Sequence, residues 1–160
     1  AYLLCRGLQP ISVVETGVAY GMTTSYILQA LEANGRGRLD SIDLPPLGDE
    51  EGRWIGALAP RELAPRWTLH RGTSRALLPQ VLNASGTIGM FIHDSLHTYR
   101  TMMWEFETAW RHLVPGGVLL SDDIRDNQAF ERFVARVRPK YQCAFSGDDG
   151  ASCYGVAIKE

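Results

Sequence analysis

Residues 11–34, ISVVETGVAYGMTTSYILQALEAN, decide how this chain is read. Residues 11–14 are a short apolar run, and Glu15, Thr16 and Gly17 follow it. A second glycine, Gly21, precedes a segment in which Thr23, Tyr26, Ile27, Ala30 and Leu31 share one face at the 3.6-residue period. Asn34 and Gly35 supply a stop signal. The spacing predicts a strand, a glycine turn and a helix; in an open parallel sheet such a turn is where ligands sit. Glycine allows the sharp turn and lets a ligand approach where a Cβ would block it. The free N–H groups at the helix start favour an anionic ligand group.

Glycine spacing narrows the ligand. A dinucleotide fingerprint requires glycines at the first, third and sixth places. Counted from Gly17, the later places hold Ala19 and Met22, so that fingerprint fails. No Gly-Lys-Ser/Thr follows, which excludes a P-loop. What remains is Glu-x-Gly-x-x-x-Gly, made by Glu15, Gly17 and Gly21. Taken alone, it also suits an ordinary turn between a strand and a helix.

Outward from this stretch, the 160 residues, 45% of them hydrophobic, are the size of one domain. A chain of that length buries roughly 70% of its unfolded surface. The net charge is −2, without basic blocks, so neither a nucleic-acid backbone nor an anionic membrane is indicated as partner. No apolar run approaches the ~20 residues of a membrane span, and no signal peptide is visible. A cytoplasmic location is expected. The first residue is Ala1 rather than Met, which suits a trimmed chain or one domain of something longer. Cys5, Cys143 and Cys153 are odd in number and lack CxxC spacing, as reduced thiols would. A Cys143–Cys153 bridge requires that their strands pair.

Residues 38–42 read as a second strand ending at Asp43, with Pro45 and Pro46 closing it. An acid there can accept hydrogen bonds from both ribose hydroxyls of a nucleoside, or serve as a solvated turn residue. Residues 45–66 are the least regular part, rich in proline and glycine, with room for a short helix near 52–58. Trp54 and Ile55 either line a pocket or anchor that loop, and anchoring is the role expected. Residues 67–70 form a weak third strand, and Thr73 or Ser74 after it are candidate hydrogen-bond donors to a base. Residues 75–82 suggest a short helix that Pro79 kinks or ends. Residues 88–92 (IGMFI) have the continuous apolar pattern of a strand buried on both faces. A helix follows with Met103, Phe106, Trp110 and Leu113 on one face, stopped by Pro115-Gly116-Gly117. Residues 118–120 begin another strand, which ends at Ser121-Asp122-Asp123. After a helix over 127–137, residues 141–145 and 153–158 form two strands joined by the turn at 147–150. The alternation predicts an α/β chain with a mostly parallel sheet, helices on both faces and an antiparallel strand near the C-terminal edge.

Asp94 and the pair Asp122/Asp123 each follow an apolar strand at its carboxyl end. If those strands are neighbours, three carboxylates meet, and each raises the others' pKa. A divalent cation such as Mg²⁺ or Ca²⁺ would relieve that repulsion; otherwise one acid faces solvent and another caps a helix. His97 lies in the turn three residues beyond Asp94, and its unperturbed pKa of about 6.5 suits a general base. His93 and His97 are four apart, a zinc spacing on a helix, but His93 is the last strand residue. Tyr99 is expected to pack rather than react.

With these residues assembled, the chain resembles the class I S-adenosylmethionine-dependent methyltransferases over nearly its whole length. The loop from Glu15 to Gly21, Asp43, and the Pro115-Gly116-Gly117 turn carry the likeness. The run 91–99 with residues 121–124 is closer still to the metal-dependent small-molecule O-methyltransferases, including the macrolide-sugar enzymes and the cephalosporin hydroxylase-like group. The resemblance implies a Rossmann-like fold, with S-adenosylmethionine held by Glu15, Thr16, Gly17, Gly21, Asp43, Thr73, Ser74 and Asp94. It implies Mg²⁺ or another divalent cation on Asp94, Asp122 and Asp123, with His97 taking the proton of a small-molecule hydroxyl acceptor. Such enzymes carry N-terminal helices over the substrate, whereas the first strand here begins near residue 11. The lid is then expected from residues 45–66, from a missing N-terminal region, or from a second subunit of a homo-oligomer. A metal-dependent hydrolase using the same acids, or a non-catalytic S-adenosylmethionine-binding domain, are the alternatives.

Overall fold

Val13 and Val14 are fully buried in the strand β1 (Ser12–Thr16), which lies centrally in the computed structural model. The structure describes residues 1–45, 53–147 and 152–160. Before β1 stands a helix, α1 (Tyr2–Leu8), and after it come α2 (Met22–Ala33), β2 (Arg38–Asp43) and β3 (Trp67–Arg71). The second half runs α3 (Ser74–Ser85), β4 (Ile88–His93), α4 (Tyr99–His112), β5 (Leu113–Ser121) and α5 (Ala129–Val137). The chain closes with β6 (Tyr141–Ser146) and β7 (Cys153–Ile158). The strands form one sheet in the order β3-β2-β1-β4-β5-β7-β6. From β3 to β5 every neighbouring pair is parallel, while β7 is antiparallel to both β5 and β6. This is the Rossmann-like α/β architecture expected. Strand order reverses beside β1, where β1 feeds β2 on one side and β4 lies on the other, so the carboxyl ends of β1 and β4 flank a crevice.

Two apolar layers sandwich the sheet. On one side Phe91 of β4 meets Phe106 of α4 and Phe133 of α5; on the other Ile27, Leu28 and Leu31 of α2 cover Leu39, Met90 and Val118. Each such fully buried side chain contributes about 1.5–3 kcal/mol. Burial from both sides is why residues 88–92 are a continuous apolar run.

Several local expectations give way to packing. The helix α1 was not foreseen: its sequence, YLLCRGL, contains Gly7 and buries Cys5 alone. The buried face of α2 is Thr24, Ser25, Ile27, Leu28, Ala30 and Leu31, and Tyr26 lies half exposed. Pro79 neither ends nor shortens α3, which runs on to Ser85. Among the described residues of 52–58 there is no helix, only turns, followed by a 3₁₀ segment at Arg61–Arg66. Leu113 belongs to β5, not α4: Pro115 disfavours a helical Val114, and the backbone is already extended at Leu113, with φ −64 and ψ 134. Pro115-Gly116-Gly117 lies inside β5 as an irregularity where the β4–β5 register shifts. Tyr99 is exposed at the start of α4. In the terminal hairpin Cys143 lies opposite Val156 and Cys153 opposite Ser146, so the two cysteines do not pair and all three thiols are free. Of the expected turn at 147–150, residues 148–150 lie outside the described residues, as do Pro46 and the rest of 46–52.

Candidate active site

The glycine loop is shaped by protein backbone. Gly17 has φ +85, and a Cβ there would lie 1.9 Å from the carbonyl oxygen of Asp94. Its neighbours are tied across the same seam: the Asp94 N–H donates to the Thr16 carbonyl at 2.8 Å. The glycine requirement at position 17 thus comes first from the close approach of β1 to the turn after β4, and the same residue also lines a cavity. At Gly21, with φ +87, a Cβ would lie 2.8 Å from the Cα of Gly56. Residues 54–58 cross over the loop there. Gly56 N–H donates to the Ala19 carbonyl at 2.8 Å and Leu58 N–H to that of Tyr20 at 2.9 Å. Ile55 is buried and anchors this crossing, as expected; Trp54 is exposed and lines a shallow hollow with Tyr20 and Leu44.

Asp43 at the end of β2 closes the loop from the other side. Its Oδ2 accepts from Val18 N–H at 2.9 Å and Ala19 N–H at 2.8 Å, and its Oδ1 from Leu44 N–H at 2.7 Å. A carboxylate offers about four lone-pair directions, so three are in use and one is left for a ligand. Glu15 is fully buried below the loop. Its Oε2 accepts from Thr24 Oγ1 at 2.8 Å and Ser41 Oγ at 2.7 Å, while Oε1 has no partner among the described residues. Burial raises its pKa to about 7 against the pull of those two hydroxyls, and the charge of Asp43 adds to the rise.

A cavity of about 700 Å³ opens over this edge. Gly17, Asp43, Thr73, Ser74 and Asp94 line it, joined by Trp104 of α4, with the Arg75 guanidinium 4.4 Å above the centroid of the indole. Thr73 caps α3, its Oγ1 accepting from Ala76 N–H. Glu15, Thr16 and Gly21 do not line the cavity; the Thr16 side chain is buried and turned toward α4, donating to Glu105 Oε2. His97, Asp122 and Asp123 lie beyond its Asp94 end rather than on its wall.

The acids after β4 and β5 do meet, because those strands are neighbours. Asp94 has its pKa raised to about 7 through burial first, then the charges of Asp122, Glu15 and Asp123. His97 stands between them, with Nε2 3.8 Å from Asp94 Oδ1 and Nδ1 3.7 Å from Asp123 Oδ2. Its Nε2 is buried and has no hydrogen-bond partner among the described residues. The loop before α5 supports it from below, Asn127 Nδ2 donating to the His97 carbonyl at 3.2 Å. His93 takes no part in a zinc pair: it is fully buried in β4 with Nδ1 2.7 Å from Glu105 Oε2. No group of three His, Cys, Asp or Glu among the described residues is arranged to hold a metal ion.

Sequence reading missed Glu105. It lies on the buried face of α4 with Met102, Phe106 and Ala109, whereas the expected face, drawn through Met103, Phe106, Trp110 and Leu113, left position 105 to solvent, where a carboxylate ordinarily stands. Trp104, which lines the cavity, was also missed. No sequence signal tied either residue to the strand ends.

Residues 14–124 match the family model described as a methyltransferase domain. The chain belongs to that family. The methyltransferase fold is also seen in the likeness to solved structures. An O-methyltransferase from Bacillus cereus in complex with SAH superposes with a TM-score of 0.74 at 19% identity, over 99% of this chain and 78% of that one. TomG, an O-methyltransferase from Streptomyces achromogenes involved in tomaymycin synthesis and solved with SAM, gives 0.74 at 20% identity, over 99% and 78%. Cofactor-bound Rv0187 from MTB gives 0.75 at 18% identity, over 98% and 76%. No curated protein sequence matches. No helix among the methyltransferase's described residues is long and apolar enough to cross a membrane.

Proposed function

We propose that this methyltransferase transfers the methyl group of S-adenosylmethionine to a hydroxyl of a small molecule, with His97 as general base. The observation that carries the reading is the cavity from Asp43 to Asp94, which ends beside a histidine whose Nε2 is buried and unpartnered. When bound, S-adenosylmethionine supplies an electrophilic methyl on a sulfonium that leaves as a neutral thioether. Asp43 would accept from one ribose hydroxyl with its remaining lone pair. Thr73 and Trp104 would border the base. Glu15, buried below Gly17, would in its ionised form favour the cationic donor through charge.

His97 would take the acceptor's hydroxyl proton on Nε2 as the oxygen–methyl bond forms. Asp94 and Asp123, 3.8 and 3.7 Å from the ring nitrogens, would stabilise the imidazolium. Holding the two reactants in line accounts for much of the expected acceleration. The carboxylates also fit a divalent cation by charge: Asp94 is raised to about 7 partly because three other acids surround it, a conflict a cation removes. Asp94, Asp122 and Asp123 would hold it after side-chain rotation, and it would lower the pKa of the acceptor hydroxyl.

Calorimetric titration of S-adenosylmethionine, with Mg²⁺ and again with a chelator, tests donor binding. Micromolar affinity is expected in both, and absence of binding to the folded protein would overturn the proposal. With a panel of catechols and sugars as acceptors, His97→Ala and Asp94→Ala should each lose turnover by at least 100-fold while donor affinity changes far less. Unchanged turnover in His97→Ala would remove the base; loss of Mg²⁺ dependence without loss of rate would remove the metal.

A further inference from the structure

Glu105 is a carboxylate that the proposed reaction does not use, yet it is fully buried beneath the site. Its Oε2 accepts from His93 Nδ1 at 2.7 Å and from Thr16 Oγ1, and its Oε1 accepts from Ser95 Oγ at 2.9 Å. Those donors stand at the end of β4, at the end of β1, and in the turn that carries Asp94 and His97. Burial alone would raise its pKa, but the hydrogen bond and charge of His93, with the hydrogen bond from Thr16, hold it below the ordinary range. A core that needed only apolar volume here would be filled at less cost by leucine.

The His93 ring has a fixed direction. It meets Phe106 edge-on at 5.3 Å on one contact and His97 at 5.4 Å on another, the two imidazoles being at 87°. Among the described residues the His97 ring makes no short polar contact: the nearest acid oxygens lie 3.7 and 3.8 Å away. The ring it meets edge-on is His93, and His93 is in turn held by Glu105.

We infer that Glu105 is a positioning residue, which aims the His97 ring through His93 and fixes the spacing of the glycine loop and the Asp94 turn through Thr16 and Ser95. Its catalytic consequence rests on His97 being the base; the positional claim does not. A misplacement near 1 Å at a reacting group costs about 100-fold in rate, so Glu105→Gln should lower turnover about 10- to 100-fold. The donor KM, which answers only to the glycine-loop part of the role, should rise by a smaller factor than turnover falls.

The decisive readout is independent of any acceptor. In protein labelled with ¹⁵N-histidine, the wild type should show a hydrogen-bonded, slowly exchanging Nδ1 proton on His93. Glu105→Gln should lose it and shift the His97 ring signals. Leu28→Ala, which opens the opposite face of the sheet, should move neither. Thr16→Val removes one bond to Glu105 with little change of shape and should give the same shifts at smaller size, which keeps the test available if Glu105→Gln does not fold. A His93 without that proton, His97 signals unmoved by both variants, or equal shifts in Leu28→Ala would overturn the inference. Failure of the base reading is distinct: His97→Ala would then retain turnover while the ring signals still answered to residue 105.

Discussion

Gly17→Ala tests how tightly the two halves of the site are joined. A Cβ at position 17 would lie 1.9 Å from the Asp94 carbonyl oxygen, 2.3 Å from its carbon and 2.8 Å from Ser95 N. Reaching an ordinary contact of about 3.4 Å requires β1 and the turn after β4 to separate by about 1.5 Å, since all three obstructing atoms are backbone. Alanine at φ +85 adds about 1–2 kcal/mol of conformational strain. Separation also breaks the Asp94 to Thr16 hydrogen bond and loosens the Thr16 and Ser95 bonds to Glu105, each worth about 1 kcal/mol net. The sum is about 3–5 kcal/mol, or roughly 6–20 °C in Tm for a chain of this size. Gly35→Ala is the matched control: its φ is +68 but no atom lies within 4 Å of the added Cβ. Strain alone should cost it about 1–2 kcal/mol, or roughly 2–8 °C. Thermal unfolding of both variants with and without S-adenosylmethionine makes the comparison, and Gly17→Ala should also lose the ligand-induced rise. If Gly17→Ala is no less stable than Gly35→Ala, close backbone approach is not what the glycine serves.

Two further outcomes follow from buried groups. Glu15 and Asp94 have folded-state pKa values of about 7, well above their ordinary carboxylate values, so between about pH 4 and pH 7 the folded protein binds more protons than the unfolded chain. Ligand-free stability should therefore fall as pH rises through that window, and Glu15→Gln should flatten the fall while weakening S-adenosylmethionine binding at pH 8; Tm against pH and a calorimetric titration check both. Cys143 is exposed and Cys153 partly so, whereas Cys5 is buried with its thiol pushed up to about 11. A thiol reagent should modify Cys143 first, Cys153 more slowly and Cys5 only on unfolding, and mass spectrometry of partly labelled protein gives the order.

The strand ends were legible because each apolar run stops abruptly at an acid: Val14 before Glu15, Ile42 before Asp43, Ile92 shortly before Asp94, Leu120 shortly before Asp122. Neighbouring βα units then bring the last two ends together. What escaped the sequence depends on distances that no local pattern encodes. Glu105 finds Thr16 across 89 positions, and Gly21 needs its missing Cβ because Gly56, 35 residues on, lies against it. The misread face of α2 has another cause. Buried Ile27, Leu28, Ala30 and Leu31 cover an arc wider than one helical stripe, and the period drawn through Thr23 and Tyr26 runs along its rim. The helix α1 gave too short a signal, one buried residue in seven.

The three backbone bonds to Asp43 have a consequence for how a ligand is received. With Val18, Ala19 and Leu44 amides facing a carboxylate of the chain itself, the loop carries an internal counter-ion whose bonds hold its shape without calling on a ligand. Ordering of the loop is then charged to folding rather than to association, which spares the ligand the entropy of immobilising it. Amide hydrogen exchange at Val18 and Ala19 would accordingly be slow before ligand is added and change little afterwards, the signature of a receptor that is rigid before it is occupied.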